Sequence, residues 1–390
     1  MGVAYFGRSR ARLGWTAARM VGHFAIRAVV LTLISVAMGL VFSLGQLWFL
    51  NVVLFALGAD YFLAGLLWLA FNWTEPAVAR AISAYLPEEE EEEDAARPLI
   101  AGQDDGHATR KTERAFSLSW HLHNALLLIL AGVTISWNIW LSPDHGHCDS
   151  EPTLTGLQFT DSSWFRIWFY PVQTKRVVSG FPPLAWLSFA ILGLLYGRLI
   201  IARSWSPTRI RLATLLAGLA FGVLFVLTRI FHFGNLSEGC LQTAEHTAHP
   251  NMNQYLTSPE AFFYVTKYPP DVAFFAYTMA CNLLLLAGFD LIPPNIASHL
   301  SVLIAYGTSA LFFYLIHQYL LMGLGSLVVM WFGHDTGVTD PLTGSPGTGV
   351  DNLWLFVGTW AVALAILFPL CQWYSKFKKT KGPNSLWRFF

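Results

Sequence analysis

Two ionisable residues stand inside long apolar runs: Asp60 in LFALGADYFLAGLLW and His317 in LFFYLIHQYLL. A charge at bilayer depth is costly, so each marks a functional site or a group paired within the protein. Asp60 has no charge near it in sequence. It either pairs with a cation from another helix or stays protonated in a buried hydrogen bond. His317 either exchanges protons as an acid–base group or sits as a hydrogen-bonded core residue. Both are catalytic candidates. Arg229 and Lys267 form another set, ending one apolar run and opening the next, with His232 one turn beyond Arg229. Two cations beside a helix N-terminus suit a phosphate or carboxylate, and snorkelling to the interface is the alternative.

Other polar residues have plainer alternatives. His23, Arg27, His121 and His123 form an inner-side group, of which His23 and Arg27 are i,i+4 neighbours suited to anchoring a helix. Of the four cysteines, Cys281 and Cys371 fall in apolar runs, whereas Cys148 and Cys240 fall between them. A Cys148–Cys240 disulfide follows if those loops face an oxidising compartment. The competing use is a zinc set with His145, His147, His246 and His249, but the spacing fits no closed finger, so no metal is expected. The sequons Asn72-Trp-Thr and Asn235-Leu-Ser are poor acceptors, one on the inner side and one against a helix end. No Walker A, GxGxxG, HExxH, GxSxG or CxxC pattern occurs.

The elements that must position these residues follow from composition. The chain is 54% hydrophobic and 12% charged, with a mean hydropathy of +0.47, against about a quarter charged in soluble domains. This predicts an all-α polytopic transmembrane bundle, in contact with the lipid bilayer along most of its length. Zero net charge argues against a nucleic-acid partner. Eight spans are predicted, near 27–45, 50–72, 117–141, 183–201, 211–231, 270–291, 304–328 and 353–373. With the N-terminus inside, 19 of the 24 Lys and Arg fall on the inner side, which sets an N-in, C-in orientation.

Four sections result: a two-helix front (1–73), an acidic cytosolic linker (74–116), a six-helix section (117–373) and a basic cytosolic tail (374–390). The linker holds PEEEEEED and has no capacity for a core. The outer stretch WFRIWFYP is aromatic enough to lie at the interface or re-enter the protein. TKYPPD, residues 266–271, reads as a helix collar: prolines at the first turn, Asp271 at the positive end of the dipole.

Four segments, in order, resemble the membrane family typified by heparan-α-glucosaminide N-acetyltransferase and its uncharacterised relatives. They are RLGWTAARMVGHFAIRAVVLTLI, SGFPPLAWLSFAILGLLYGR, KYPPDVAFFAYTMACNLLLL and GTSALFFYLIHQYLL, with VVLFALGADYFLAGLLW fitting the helix between the first two. The resemblance covers most of 6–330. It implies a bundle of ten or eleven spans that passes an acetyl group from acetyl-CoA across a membrane to an amino sugar. Residue 1 falls about where the family's second span ends, so its D-x-x-R-G segment and lumenal histidine have no counterpart here. Asp60 replaces a small or aliphatic residue, and Gly307-Thr308 stands where the family has GR.

Carried over by position, the resemblance implies Arg27, Arg198, Arg229, Lys267, Tyr314 and His317 as polar lining. Arg229, Lys267 and Arg198 are then the cofactor-binding candidates. The expectation is a catalytic-domain-like acyltransferase relative, truncated or inactive, using acetyl-CoA as co-substrate and a small-molecule or sugar acceptor. The alternative is a non-enzymatic transporter or scaffold built on Asp60. The expected location is integral to an endomembrane (vacuole or lysosome, endoplasmic reticulum, Golgi) or to the plasma membrane.

Overall fold

The computed structural model describes residues 1–86, 104–142, 163–202, 205–241, 243–339, 346–382, 385 and 387. They fall into two compact units, Met1–Phe289 and Asp290–Phe390. In the first, α1 (Gly2–Arg12) precedes the long α2 (Ala17–Phe42), α3 (Leu54–Tyr85) and α4 (Asp104–Leu141). After α5 (Ser163–Phe169) come α6 (Pro183–Ala202), α7 (Pro207–Ile230), the short α8 (Ala244–Ala248) and α9 (Pro259–Phe263), and α10 (Val272–Phe289). The second unit holds α11 (Pro294–Ala297), α12 (Ser301–Thr308), α13 (Ala310–Phe332) and α14 (Leu353–Lys379).

Eight helices among the described residues are long and apolar enough to cross a membrane, so the chain is an all-α, multi-pass integral membrane protein. Sheet is minor. β1 (Phe49–Asn51) runs parallel to β3 (Val177–Ser179), which pairs antiparallel with β2 (Val172–Gln173). In the second unit β4 (His334–Thr339) pairs antiparallel with β5 (Pro346–Gly349).

Local chemistry sets the helix ends. Thr16 caps α2 by accepting the Arg19 N–H at 3.3 Å, so this span starts ten residues before the predicted position 27 and takes His23 and Arg27 inside it. Ser206 caps α7 with Pro207 as first helical residue. Asp271 caps α10 from just outside it, not from its first turn: Oδ1 accepts the Phe274 N–H at 2.6 Å, after a cis Tyr268–Pro269 bond. Pro76 lies inside α3 without ending it, and α4 already begins at Asp104. Both flanks of the predicted linker 74–116 are therefore helical, while PEEEEEED lies outside the described residues. The unit boundary follows Phe289, and α2 and α3 pack with α4 and α6 in one body instead of forming a separate front section.

The core of the first unit joins α1, α2, α3, α4 and α6 through Ala4, Phe24, Ala64, Trp68, Leu127 and Leu194. Two glycines permit the closest approaches. A Cβ on Gly65 would stand 2.5 Å from the Phe24 ring, and one on Gly7 would stand 2.7 Å from the Trp68 ring. The predicted aromatic stretch forms α5 and packs inward in part: Trp168 lies 5.4 Å from Phe55 and Phe169 5.6 Å from Trp137, between ring centroids. Trp164 stays 70% exposed. α7 leaves Leu212, Leu216, Leu219 and Val223 exposed, the face expected to meet lipid.

Candidate functional site

A cavity of about 330 Å³ lies among the inner ends of α1, α3, α4 and α6. Helical spacing builds its walls. Ala4 and Arg8 are one turn apart on α1, while Trp68, Asn72, Glu75 and Pro76 share one face of α3. Phe116 and Trp120 come from α4, and Arg198 and Ile201 from α6. Pro76 has no N–H, so the Asn72 carbonyl lacks its usual helical donor and adds an acceptor to this face.

Arg198 is held from two sides. It donates to Glu75 Oε2 at 2.6 Å and to Asn124 Oδ1 at 3.0 Å, with its guanidinium 5.5 Å from the Phe71 ring centroid. Nη1 carries no hydrogen bond to the described residues. Arg8 donates through Nη1 to the Ile201 carbonyl and has no carboxylate partner among the described residues. Behind Glu75 runs a second set of bonds. Ser119 Oγ donates to the Glu75 carbonyl at 2.7 Å, and His123 spans Ser119 O at 2.7 Å and Thr74 Oγ1 at 2.9 Å. A carbonyl only accepts, so Nδ1 of His123 carries a proton and Nε2 faces Thr74.

The other predicted residues lie elsewhere. Arg229 sits at the outer end of α7 and is fully buried. Its Nη1 donates to Asn235 Oδ1 at 2.9 Å, and its guanidinium lies 4.5 Å from the Tyr255 centroid and 5.1 Å from that of Phe225. Nε and Nη2 have no hydrogen-bond partner among the described residues. Asp271 is equally buried, its oxygens taking the Phe274 N–H and, at 3.1 Å, the Leu236 N–H. Burial pushes its carboxyl up to about 6, more than those donors and the Arg229 charge pull it down.

Arg229 thus anchors the outer loop: Asn253 donates to its carbonyl at 2.8 Å and Asn235 to that of Thr228 at 3.1 Å. Lys267 is exposed, with Nζ 5.3 Å from the Phe181 centroid and 5.0 Å from that of Tyr268. His232 pairs with Glu238 at 2.7 Å. The three cofactor-binding candidates therefore divide, with Arg198 in the inner cavity and Arg229 and Lys267 at the outer end of the same unit.

Asp60 lies six residues into α3, roughly 9 Å from its outer end. It is 7% exposed, and Oδ1 has no hydrogen-bond partner among the described residues. In the second unit, His317 is half-buried on α13, stacked on Phe313 at 5.4 Å. Its Nδ1 meets the Phe313 carbonyl at 3.1 Å and its Nε2 the Gln318 amide at 3.1 Å. His23 stacks on Phe6 at 4.3 Å and Arg27 covers Tyr61 at 4.4 Å, so this pair packs onto α1 and α3.

Cys240 is disulfide-bonded, while Cys281 and Cys371 are free thiols. Cys148, His145 and His147 lie outside the described residues. Among those described, no group of His, Cys, Asp and Glu is placed to hold a metal. Sequence reasoning missed Arg8, Glu75 and Asn124. The signal available was the helical spacing of Asn72, Glu75 and Pro76 together with the basic run from Arg8. No family model matches the chain, and no curated protein matches it.

Proposed function

We propose that this chain is a multi-pass acyltransferase-like membrane protein, akin to those that pass an acetyl group from acetyl-CoA to an amino sugar or other small polar acceptor. The observation that carries this reading is the inner cavity. Among the described residues Arg8 has no carboxylate partner and Arg198 Nη1 no hydrogen bond, beside the indole walls Trp68 and Trp120. Phosphates and a purine ring need those two kinds of surface, cation forks and flat aromatic faces. In this reading Glu75 and Asn124 fix the Arg198 fork, and the acyl donor binds from the inner side. Asp60 and His317 stay acid–base candidates on their chemistry alone, neither of them lining this cavity. The disulfide at Cys240 supports an outer side that faces a secretory lumen or the exterior.

The test is thermal stability of the purified protein in detergent. Acetyl-CoA at about a hundred times its dissociation constant adds roughly 2.7 kcal/mol. Free acetate adds nothing, and the double variant Arg8→Ala/Arg198→Ala loses the shift. An unresponsive wild type defeats the reading. One observation favours transport instead, the buried Asp60, whose Oδ1 has no hydrogen-bond partner among the described residues. Proton-coupled uptake abolished by Asp60→Asn, without an acetyl-CoA response, establishes that alternative.

A further inference from the structure

The first two helices of the chain meet at a basic turn. RSRARLGWTAAR, residues 8–19, carries Arg8, Arg10, Arg12 and Arg19, and no Asp or Glu occurs before Asp60. α1 ends at Arg12 and α2 begins at Ala17, which gathers these cations around one connection. Trp15 is its pivot: the Arg10 guanidinium lies 4.8 Å from the ring centroid and that of Arg19 lies 4.2 Å away. Among the described residues no carboxylate pairs with Arg10, Arg12 or Arg19. Arg12 and Arg19 are exposed, and Leu13 beside them is 65% exposed.

Like charges held against one ring repel each other, and the ring's quadrupole offsets only part of that repulsion. The turn is not free to splay. The other face of α1 buries Val3, Ala4 and Gly7, with Gly7 close against the Trp68 ring. Cations without a counter-charge among the described residues, flanked by an exposed leucine and a tryptophan, match one environment closely. The lipid–water boundary of an anionic leaflet supplies phosphates at the height of the arginines and hydrocarbon beside Leu13. The charge asymmetry of the chain puts this turn on the inner side.

We propose that the Arg10–Arg19 turn is a binding surface for the phosphate headgroups of anionic glycerophospholipids in the inner leaflet. The proposal is independent of acyl transfer, since Arg8 alone is shared with the cavity. A cationic surface of this kind contributes about a five-fold affinity change per arginine, weakening as salt rises.

The test uses the full chain in nanodiscs of phosphatidylcholine with rising phosphatidylserine, reading lipid enrichment by native mass spectrometry and thermal stability. Phosphatidylserine is expected to be enriched and stabilising. Arg10→Gln/Arg12→Gln/Arg19→Gln should lose about a hundred-fold in affinity. Should that variant fail to fold, loss of the wild-type selectivity as salt rises serves in its place. Equal behaviour in the two lipids overturns the proposal. An equal response to soluble glycerol phosphate assigns the turn to free phosphate instead. Selectivity that emerges only after Glu88–Glu93 are changed to Gln assigns the cations to the chain's own acidic run, and also overturns it.

Discussion

At the residue scale, the outer pair Arg229 and Asp271 shows how burial sets chemistry. The Asp271 carboxyl is buried and sits near 6, well above an ordinary aspartate. The folded protein therefore takes up a proton before the unfolded chain does. Stability contributed by this group rises as pH falls from about 7 to about 4 and is lost as pH rises through 6, by up to roughly 3 kcal/mol over two pH units. Melting temperature followed against pH in detergent reads this directly, and Asp271→Asn should flatten the rise while keeping the helix cap. Arg229→Ala should cost more, about 3 to 5 kcal/mol, because it removes the partner of Asn235 and leaves a buried carboxylate without a nearby cation. Denaturant midpoints of the two variants give the comparison.

Elements act through their contact faces. The approach of α2 to α3 depends on Gly65, whose missing side chain makes room for the Phe24 ring. Gly65→Val should destabilise by about 1 to 3 kcal/mol through overpacking, and Phe24→Leu should recover part of the loss when combined with it. Thermal unfolding of the single and double variants reads this coupling. The cavity depends on the same registry, because α3 presents Trp68, Asn72 and Glu75 only while its face is held against α1, α4 and α6. In the second unit α12, α13 and α14 are joined by polar links of the same kind: Tyr306 donates to Leu364 O at 2.7 Å and Ser309 to Cys371 O at 3.1 Å. Such bonds hold spans together where apolar burial gives no net drive.

For the whole molecule, orientation is the property that the proposed acetyl transfer needs first, since an inner donor site and an outer acceptor side would make sense only in one sense of insertion. The tail lysines Lys376, Lys378 and Lys379 should resist a membrane-impermeant amine reagent in sealed vesicles oriented as in the cell, and Lys267 should react. The reverse pattern defeats the N-in assignment. The eight spans and this asymmetry were legible in the sequence because both are local quantities, a length of apolar chain and a count of charges per loop. The collar at 266–271 was legible only as a helix entry: both prolines precede α10 instead of occupying its first turn, and Asp271 is the cap and not a first-turn residue. Only tertiary structure decided which face of each span is buried. Lipid and protein core are both apolar, so span residues carry almost no pattern that separates them. It likewise joined Arg8 to Ile201, and Arg198 to Glu75 and Asn124, from distant parts of the chain. Those pairings depend on how helices pack, which residue type and spacing along one strand of sequence do not fix.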